Sequence, residues 1–308
     1  MSVAGIGQVT AGQRFRRRTG TNGFISRNQG LLFALPALLA LAALIGYPLI
    51  DTAVLSFTND AGKFVGWSNY AEILDDDTTS LATYNSVIYV GGSLVLQLFL
   101  GTVAGILLNQ RFIGRGPLRT ILLIPWVVPG IVAATTWAWM FHIEFGIVNY
   151  ALQRTHVITA PVGWLISPDL VLPSVIAVNV WKMFPFVAVM VLAGLQAIPE
   201  TLYEAARVDG AHFLHEVRFI MLPQLRPVLV SIGLLLLIWG MNGITIIYAM
   251  THGGPANQSL ILPLQIFKEA FESFQFNTAG ALSLMLFLAL FAAILFYTVV
   301  FQSKDADA

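Results

Sequence analysis

Six stretches of this chain are long and apolar enough to cross a bilayer, and that fixes most of what it can fold into. They run approximately Gly30–Phe57, Tyr84–Leu108, Leu118–Phe141, Leu170–Ala197, Pro227–Met250 and Thr278–Phe301. A helix needs about 20 apolar residues to span the hydrocarbon. With 57% hydrophobic and only 10% charged residues, little is left over for a separate soluble domain. The expected fold is therefore an all-α membrane protein with six transmembrane helices. The first stretch follows Arg14, Arg16, Arg17, Arg18 and Arg27, like a signal-peptide n-region. Its apolar part is too long for such a signal, so it reads as a retained span. Glycine or proline occurs in every span, for example Pro125, Pro129, Pro185 and Gly240, permitting kinks and close helix approach.

The connecting loops carry charge unevenly. Those on one side hold the N-terminal arginines, then Arg111, Arg115 and Arg119, then Arg207, Arg218 and Arg226, and finally Lys304. The other side holds only Lys63, Arg154 and Lys268. The positive-inside rule then places both termini in the cytoplasm. The first outer loop is acidic, with Asp60, Glu72 and Asp75–Asp77, and reads as a solvated surface. The expected division is a cytoplasmic tail over 1–28, a permease domain over 29–303 with a polar loop at 198–224, and a short cytoplasmic tail over 304–308.

Several functions lack their parts. No cysteine is present, which removes disulfides, thiolate catalysis and cysteine-based metal sites. There is no G-x-x-x-x-G-K-[ST] loop, and Gly114-Arg115-Gly116-Pro117 lacks the lysine and follows no strand. No H-E-x-x-H or G-x-S-x-G occurs, and His142, His156, His212, His215 and His252 are scattered over loops. No nucleic-acid motif is present. The chain is thus expected not to be an enzyme, and to bind no metal or cofactor. If transport is active, its energy comes from another chain.

The polar loop before the fifth span is the most specific feature. Pro199 and Glu200 suit a first helical turn. Gly210 interrupts the pattern, and Phe213, Val217, Ile220 and Met221 form one apolar stripe before Pro223 ends it. Two short helices at the membrane surface, joined by a glycine hinge, are expected. The residues read Glu204-Ala205-Ala206, then Gly210, Ile220, Leu222 and Pro223, a spacing E-A-A-x3-G-x9-I-x-L-P. This resembles, without gap or substitution, the cytoplasmic signature loop of permease subunits from binding-protein-dependent ABC importers. Further likeness lies in Trp67-x-Asn69-Tyr70, Pro125-Trp126 through Pro129, Trp139-Met140-Phe141, Gly146-Ile147-Val148-Asn149, Trp181-Lys182 with Pro185-Phe186, and Thr251-His252-Gly253-Gly254-Pro255. These look like carbohydrate permeases of the type represented by the larger maltose-permease subunit.

The resemblance implies a type I ABC importer permease fold with a cytoplasmic coupling helix. It implies that Glu204, Ala205, Ala206, Asp209, Gly210, Ile220, Leu222 and Pro223 meet an ATPase. It implies as partners a second permease subunit in a heterodimer, two copies of an ABC ATPase carrying ATP and Mg, and an extracytoplasmic solute-binding protein, all at a bacterial inner membrane. The cargo it implies is a sugar or oligosaccharide; glycerol 3-phosphate or a glycerophosphodiester is the alternative.

Polar residues inside spans are costly and mark a path by default. Asn242 offers both donor and acceptor, and stands beside Trp239 and Gly240, which suit stacking on a sugar ring and close approach. Thr245, Ser283 and Asn179 are further candidates. Lys182, the one basic residue deep in a span, either faces cargo, caps carbonyls freed by Pro185, or pairs with a residue of the partner subunit. Two rival classes remain. An ion-coupled transporter needs intramembrane carboxylates, and only Asp51 lies in an apolar segment. A purely structural membrane protein needs neither the polar residues nor the signature spacing.

Overall fold

The structure is a computed structural model that describes residues 33–302. The tails expected at 1–28 and 304–308, with the N-terminal arginines and Lys304, lie outside the described residues. Two units are distinguished, one ending at Asp51 and the other starting at Thr52. The first contributes the apolar helix α1, Phe33–Ser56, which carries a π-turn at Ala42–Gly46 and crosses the boundary. Everything that follows concerns the second unit.

Its helices are α2 (Ser68–Asp75), α3 (Asp77–Asn109), α4 (Arg115–Val127), α5 (Gly130–Met140), α6 (Ile147–Arg154), α7 (Pro168–Gln196), α8 (Glu200–Val208), α9 (Phe213–Asn242), α10 (Thr245–Thr251), α11 (Leu262–Phe271) and α12 (Phe276–Gln302). The long helices α3 and α7 form the most extensive pair. Their closeness is written in glycine: a Cβ at Gly105 would stand 2.7 Å from Val191 Cγ1 and 2.8 Å from the Ala188 carbonyl, and one at Gly101 would meet Val187. Small residues four apart let backbones approach where apolar burial gives no driving force. Val187, Val191, Leu195 and Leu225 pack with no exposure against this seam.

The third span is kinked, as its prolines permit: α4 and α5 meet at 94°. Pro129 has no N–H to donate, and Val128 before it is extended (φ −60°, ψ 131°), the conformation a residue preceding proline favours. The fifth span ends at Asn242, where Gly243 turns extended, and α10 starts afresh at Thr245. Pro223 does not end a helix. A π-turn at Val217–Met221, in which the Leu222 N–H reaches back to the Val217 carbonyl, carries the chain through it, so α9 runs unbroken from the polar loop into the span.

Three amides fasten the connecting segments. Asn149 Nδ2 donates to the carbonyls of Ile143 (3.2 Å) and Val162 (2.9 Å), and its Oδ1 accepts from Val162 N–H and Trp164 Nε1. Asn69 Nδ2 donates to Ser56 and Thr58, both at 2.9 Å, while Tyr70 Oη donates to Ser56 Oγ at 2.7 Å. Asn85 Nδ2 donates to the carbonyls of Asn257 and Leu260. The recurring asparagines of the sequence motifs are thus staples of loop geometry.

Candidate functional site

At one end of α7 the chain turns through Pro199, which caps α8 with extended backbone (φ −60°, ψ 135°). Helix α8 lays Tyr203 inward, against the cluster that holds Leu195, Met221 and Leu225. Burial first, then Glu216 and Glu200, push the Tyr203 phenol up from its usual pKa, and among the described residues its hydroxyl has no hydrogen-bond partner. Glu204, Ala205 and Asp209 are exposed on the other face. Gly210 has φ +83°, a backbone region that side chains with a Cβ rarely adopt, so glycine makes the turn into α9. Arg207 Nε donates to Glu216 Oε1 at 2.9 Å across that turn. Of the expected apolar stripe, Met221 is buried while Val217 and Ile220 pack against the same cluster; Phe213 is left exposed. Val208 (87%) and Leu214 (68%) add to the exposed apolar surface of this loop. Leu222 and Pro223 are also exposed, on the first turns of the span.

Midway along the same long helices lies a cavity of about 210 Å³. Helix α3 contributes Tyr89, Ser93 and Gln97; α7 contributes Asn179 and Lys182; α9 contributes Trp239 and Gly240; Gly130 and Thr245 close it from the two interrupted segments. Five of the seven predicted path residues therefore converge: Trp239, Gly240, Thr245, Asn179 and Lys182. The other two do not reach it. Asn242 donates to the Ile238 carbonyl of its own helix at 2.7 Å and lines a separate, open crevice with Ser283 and Phe267. Two residues past Gly240, it has turned to the far side of α9.

The cavity residues missed in the sequence include two buried polar ones. Ser93 and Gln97 are buried, each about 3% exposed, inside an apolar span. Gln97 Nε2 donates to the Asn179 carbonyl at 3.3 Å, whereas the Ser93 hydroxyl has no partner among the described residues. The signal was there: Tyr89, Ser93 and Gln97 recur at i, i+4, i+8, a polar stripe on one helical face. A buried hydroxyl with no partner is costly, and here it borders the cavity. Trp239 stands 5.3 Å from Phe186, which in turn stacks on Trp126 at 5.7 Å, so an aromatic row flanks the polar wall. Lys182 Nζ is already engaged, donating to the carbonyls of Val128 (2.5 Å) and Trp126 (3.3 Å).

Residues 97–305 match the family described as "Binding-protein-dependent transport system inner membrane component". The trehalose/maltose transport system permease protein MalF of Thermococcus litoralis is 35% identical over 277 residues, 88% of this chain and 92% of that one. The sulfoquinovosyl glycerol transport system permease protein SmoG of Agrobacterium fabrum is 32% identical, covering 89% and 91%. The diacetylchitobiose uptake system permease protein DasB of Streptomyces coelicolor is 30% identical, covering 90% and 87%. Among solved structures, a chain of a bacterial ABC transporter involved in the import of the acidic polysaccharide alginate superposes with TM-score 0.80 at 20% identity, over 91% of this chain and 97% of that one. The fold is thus the type I ABC importer permease fold.

Proposed function

The chain belongs to the inner-membrane components of binding-protein-dependent transport systems, and on that premise we propose that it forms half of the translocation path for a sugar or oligosaccharide. The observation that carries this reading is the mid-span cavity. Its wall pairs buried amide and hydroxyl groups with an exposed indole face, the two chemistries that recognise a hydroxylated ring. The names of the similar permeases, for trehalose and maltose and for diacetylchitobiose, support a saccharide over glycerol 3-phosphate.

In this reading the other half of the path is a second permease subunit, and cargo arrives from an external binding protein. Two ATPase copies bind ATP and Mg; this chain holds neither. Glu204, Ala205, Ala206, Asp209 and Gly210 supply the docking loop, with Ile220, Leu222 and Pro223 leading from it into α9. Closure of the ATPases drags the loop, and because α9 is continuous from Phe213 to Asn242 the motion reaches Trp239 and Gly240 without passing a flexible joint. Both termini and the docking loop lie in the cytoplasm.

The test is reconstitution of the permease pair with the ATPase in vesicles, measuring hydrolysis and uptake with binding protein loaded by maltose, by chitobiose or by glycerol 3-phosphate. Stimulation and uptake with one of the saccharides are expected. Stimulation by glycerol 3-phosphate alone would overturn the substrate class, and none with any binding protein would overturn the transport reading. Cysteines at 212 and 76 test orientation: an impermeant thiol reagent on intact cells should label only the second.

A further inference from the structure

We infer that Lys182 is a positioning residue for the cavity: its ammonium takes over the carbonyls that the third span loses at its break, and so holds α4 and α5 at their angle. The inference rests on the reading of the cavity as the transport path.

A carbonyl without a partner inside the hydrocarbon costs several kcal/mol, which is why non-helical backbone survives there only against protein or water. The break creates such carbonyls. Trp126 and Val128 would be served by the N–H groups of residues 130 and 132 in a straight helix, and the 94° bend takes those donors away. Lys182 Nζ reaches both oxygens. An ammonium has three donors and no acceptor, so it can serve two carbonyls at once. Its base is rigid: α7 runs unbroken for 29 residues and is keyed to α3 through Gly101 and Gly105.

The position has a consequence for the cavity. Gly130, the first residue after the break, lines it, and a Cβ there would lie 3.4 Å from Thr245 Cγ2 and 3.9 Å from Lys182 Cε. Thr245 starts α10 just past the second break, and α5 packs along α10. Fixing the first break therefore also fixes the facing end of the second. Lys182 shapes the site through backbone, and its effect on cargo follows from geometry.

The chain has no cysteine, so a pair can be introduced cleanly. Spin labels at the exposed positions Ile121 and Thr135, on the two limbs of the break, report its angle in the assembled complex. Lys182→Arg, which keeps a multidentate donor, should retain the single wild-type distance. Lys182→Met should broaden or lengthen it. An unchanged distribution in Lys182→Met, with a raised KM for uptake, would make Lys182 a cargo contact and overturn the inference. If Lys182→Met fails to accumulate, Lys182→Gln decides, because its amide can still donate to a carbonyl: recovery in Gln and Arg supports the inference, and loss in all three overturns it. The distance is read without transport, so it stands apart from failure of wild-type uptake, which would sink only the assigned function.

Discussion

Arg207 and Glu216 clasp the two limbs of the polar loop across the Gly210 turn, with the arginine side chain 56% exposed and the carboxylate only 9%. Exposed ion pairs contribute about 0–1 kcal/mol. This one is lopsided, because losing Arg207 leaves a nearly buried carboxylate without its charge partner. We expect Arg207→Ala and Glu216→Ala each to lower substrate-stimulated hydrolysis several-fold while the chain stays in the membrane. The double variant should lose little more than either single one. Additive losses in that cycle would mean that the two residues act separately.

Gly210 separates a backbone requirement from a docking one. Among the described residues, nothing lies within 4 Å of a Cβ placed there, but φ is +83°. Asparagine tolerates this region and valine does not. Gly210→Asn should therefore keep most of the coupling and Gly210→Val should lose it. Gly210→Trp should lose it as well, by bulk against the ATPase. Glu204, exposed on α8, adds charge to the docking face, and Glu204→Lys should prevent the ATPase from co-purifying with tagged permease. Full stimulation in Glu204→Lys and Gly210→Trp together would remove this loop as the coupling element.

The cavity predicts a ranking among polar substitutions. Gln97→Leu removes an amide from the cavity wall and releases the Asn179 carbonyl. Leaving a polar partner unpaired costs about 1–3 kcal/mol, roughly a 5- to 150-fold rise in KM for uptake. Asn242 bonds its own helix outside the cavity, so Asn242→Ala should shift KM less than Gln97→Leu does. The reverse order would place the cargo in the crevice shared by Asn242 and Ser283.

Much of this was legible in the chain. The spans follow from apolar length, and the loop follows from spaced residues whose chemistry is local: Pro199 at a first turn, Gly210 at a left-handed one. The 94° break was half legible, because Pro125 and Pro129 announce a kink but not its size; that depends on Lys182, 53 residues past Pro129, taking up the carbonyls. Pro223 misled, since only the π-turn before it lets the helix continue. The cavity was harder. Residues on α3, α7 and α9 share it through packing set by Gly101 and Gly105, and no periodicity within one segment says which face of α9 turns toward Ser93.

The α3–α7 seam should be sensitive to single methyl groups. A Cβ at Gly105 has no room to yield, since the Ala188 carbonyl oxygen is backbone. Overpacking typically costs about 1–3 kcal/mol, and the strain here would also move Gln97 and Asn179, two turns further along the pair. Gly105→Ala should lower the Tm of the detergent-solubilised complex by several degrees and raise KM. Gly116→Ala, where nothing lies within 4 Å, is the control and should change neither.

Asp76 gives a pH-dependent prediction at the N-terminus of α3. It caps α3, accepting from the backbone N–H of Thr78 (3.1 Å) and Thr79 (3.0 Å) and from the Thr79 hydroxyl (2.9 Å). Burial alone would raise its pKa, but the bonds from Thr79 and Thr78 outweigh that and hold it below the usual aspartate value of 3.8. A lowered folded-state pKa means that the carboxylate form is favoured on folding. The stabilisation is fully present above the unfolded value near 4 and disappears as pH falls through the lower folded one. An N-cap of this kind contributes about 0.5–2 kcal/mol, and solvent screening puts an exposed one toward the low end. Asp76→Ala should therefore lower the Tm of the solubilised complex by a similar amount at every pH from 5 to 8. From about pH 4 downward the difference between the variant and the wild type should shrink as the folded carboxylate is protonated. A Tm difference that stayed undiminished as the pH was lowered would show that the cap acts without its charge.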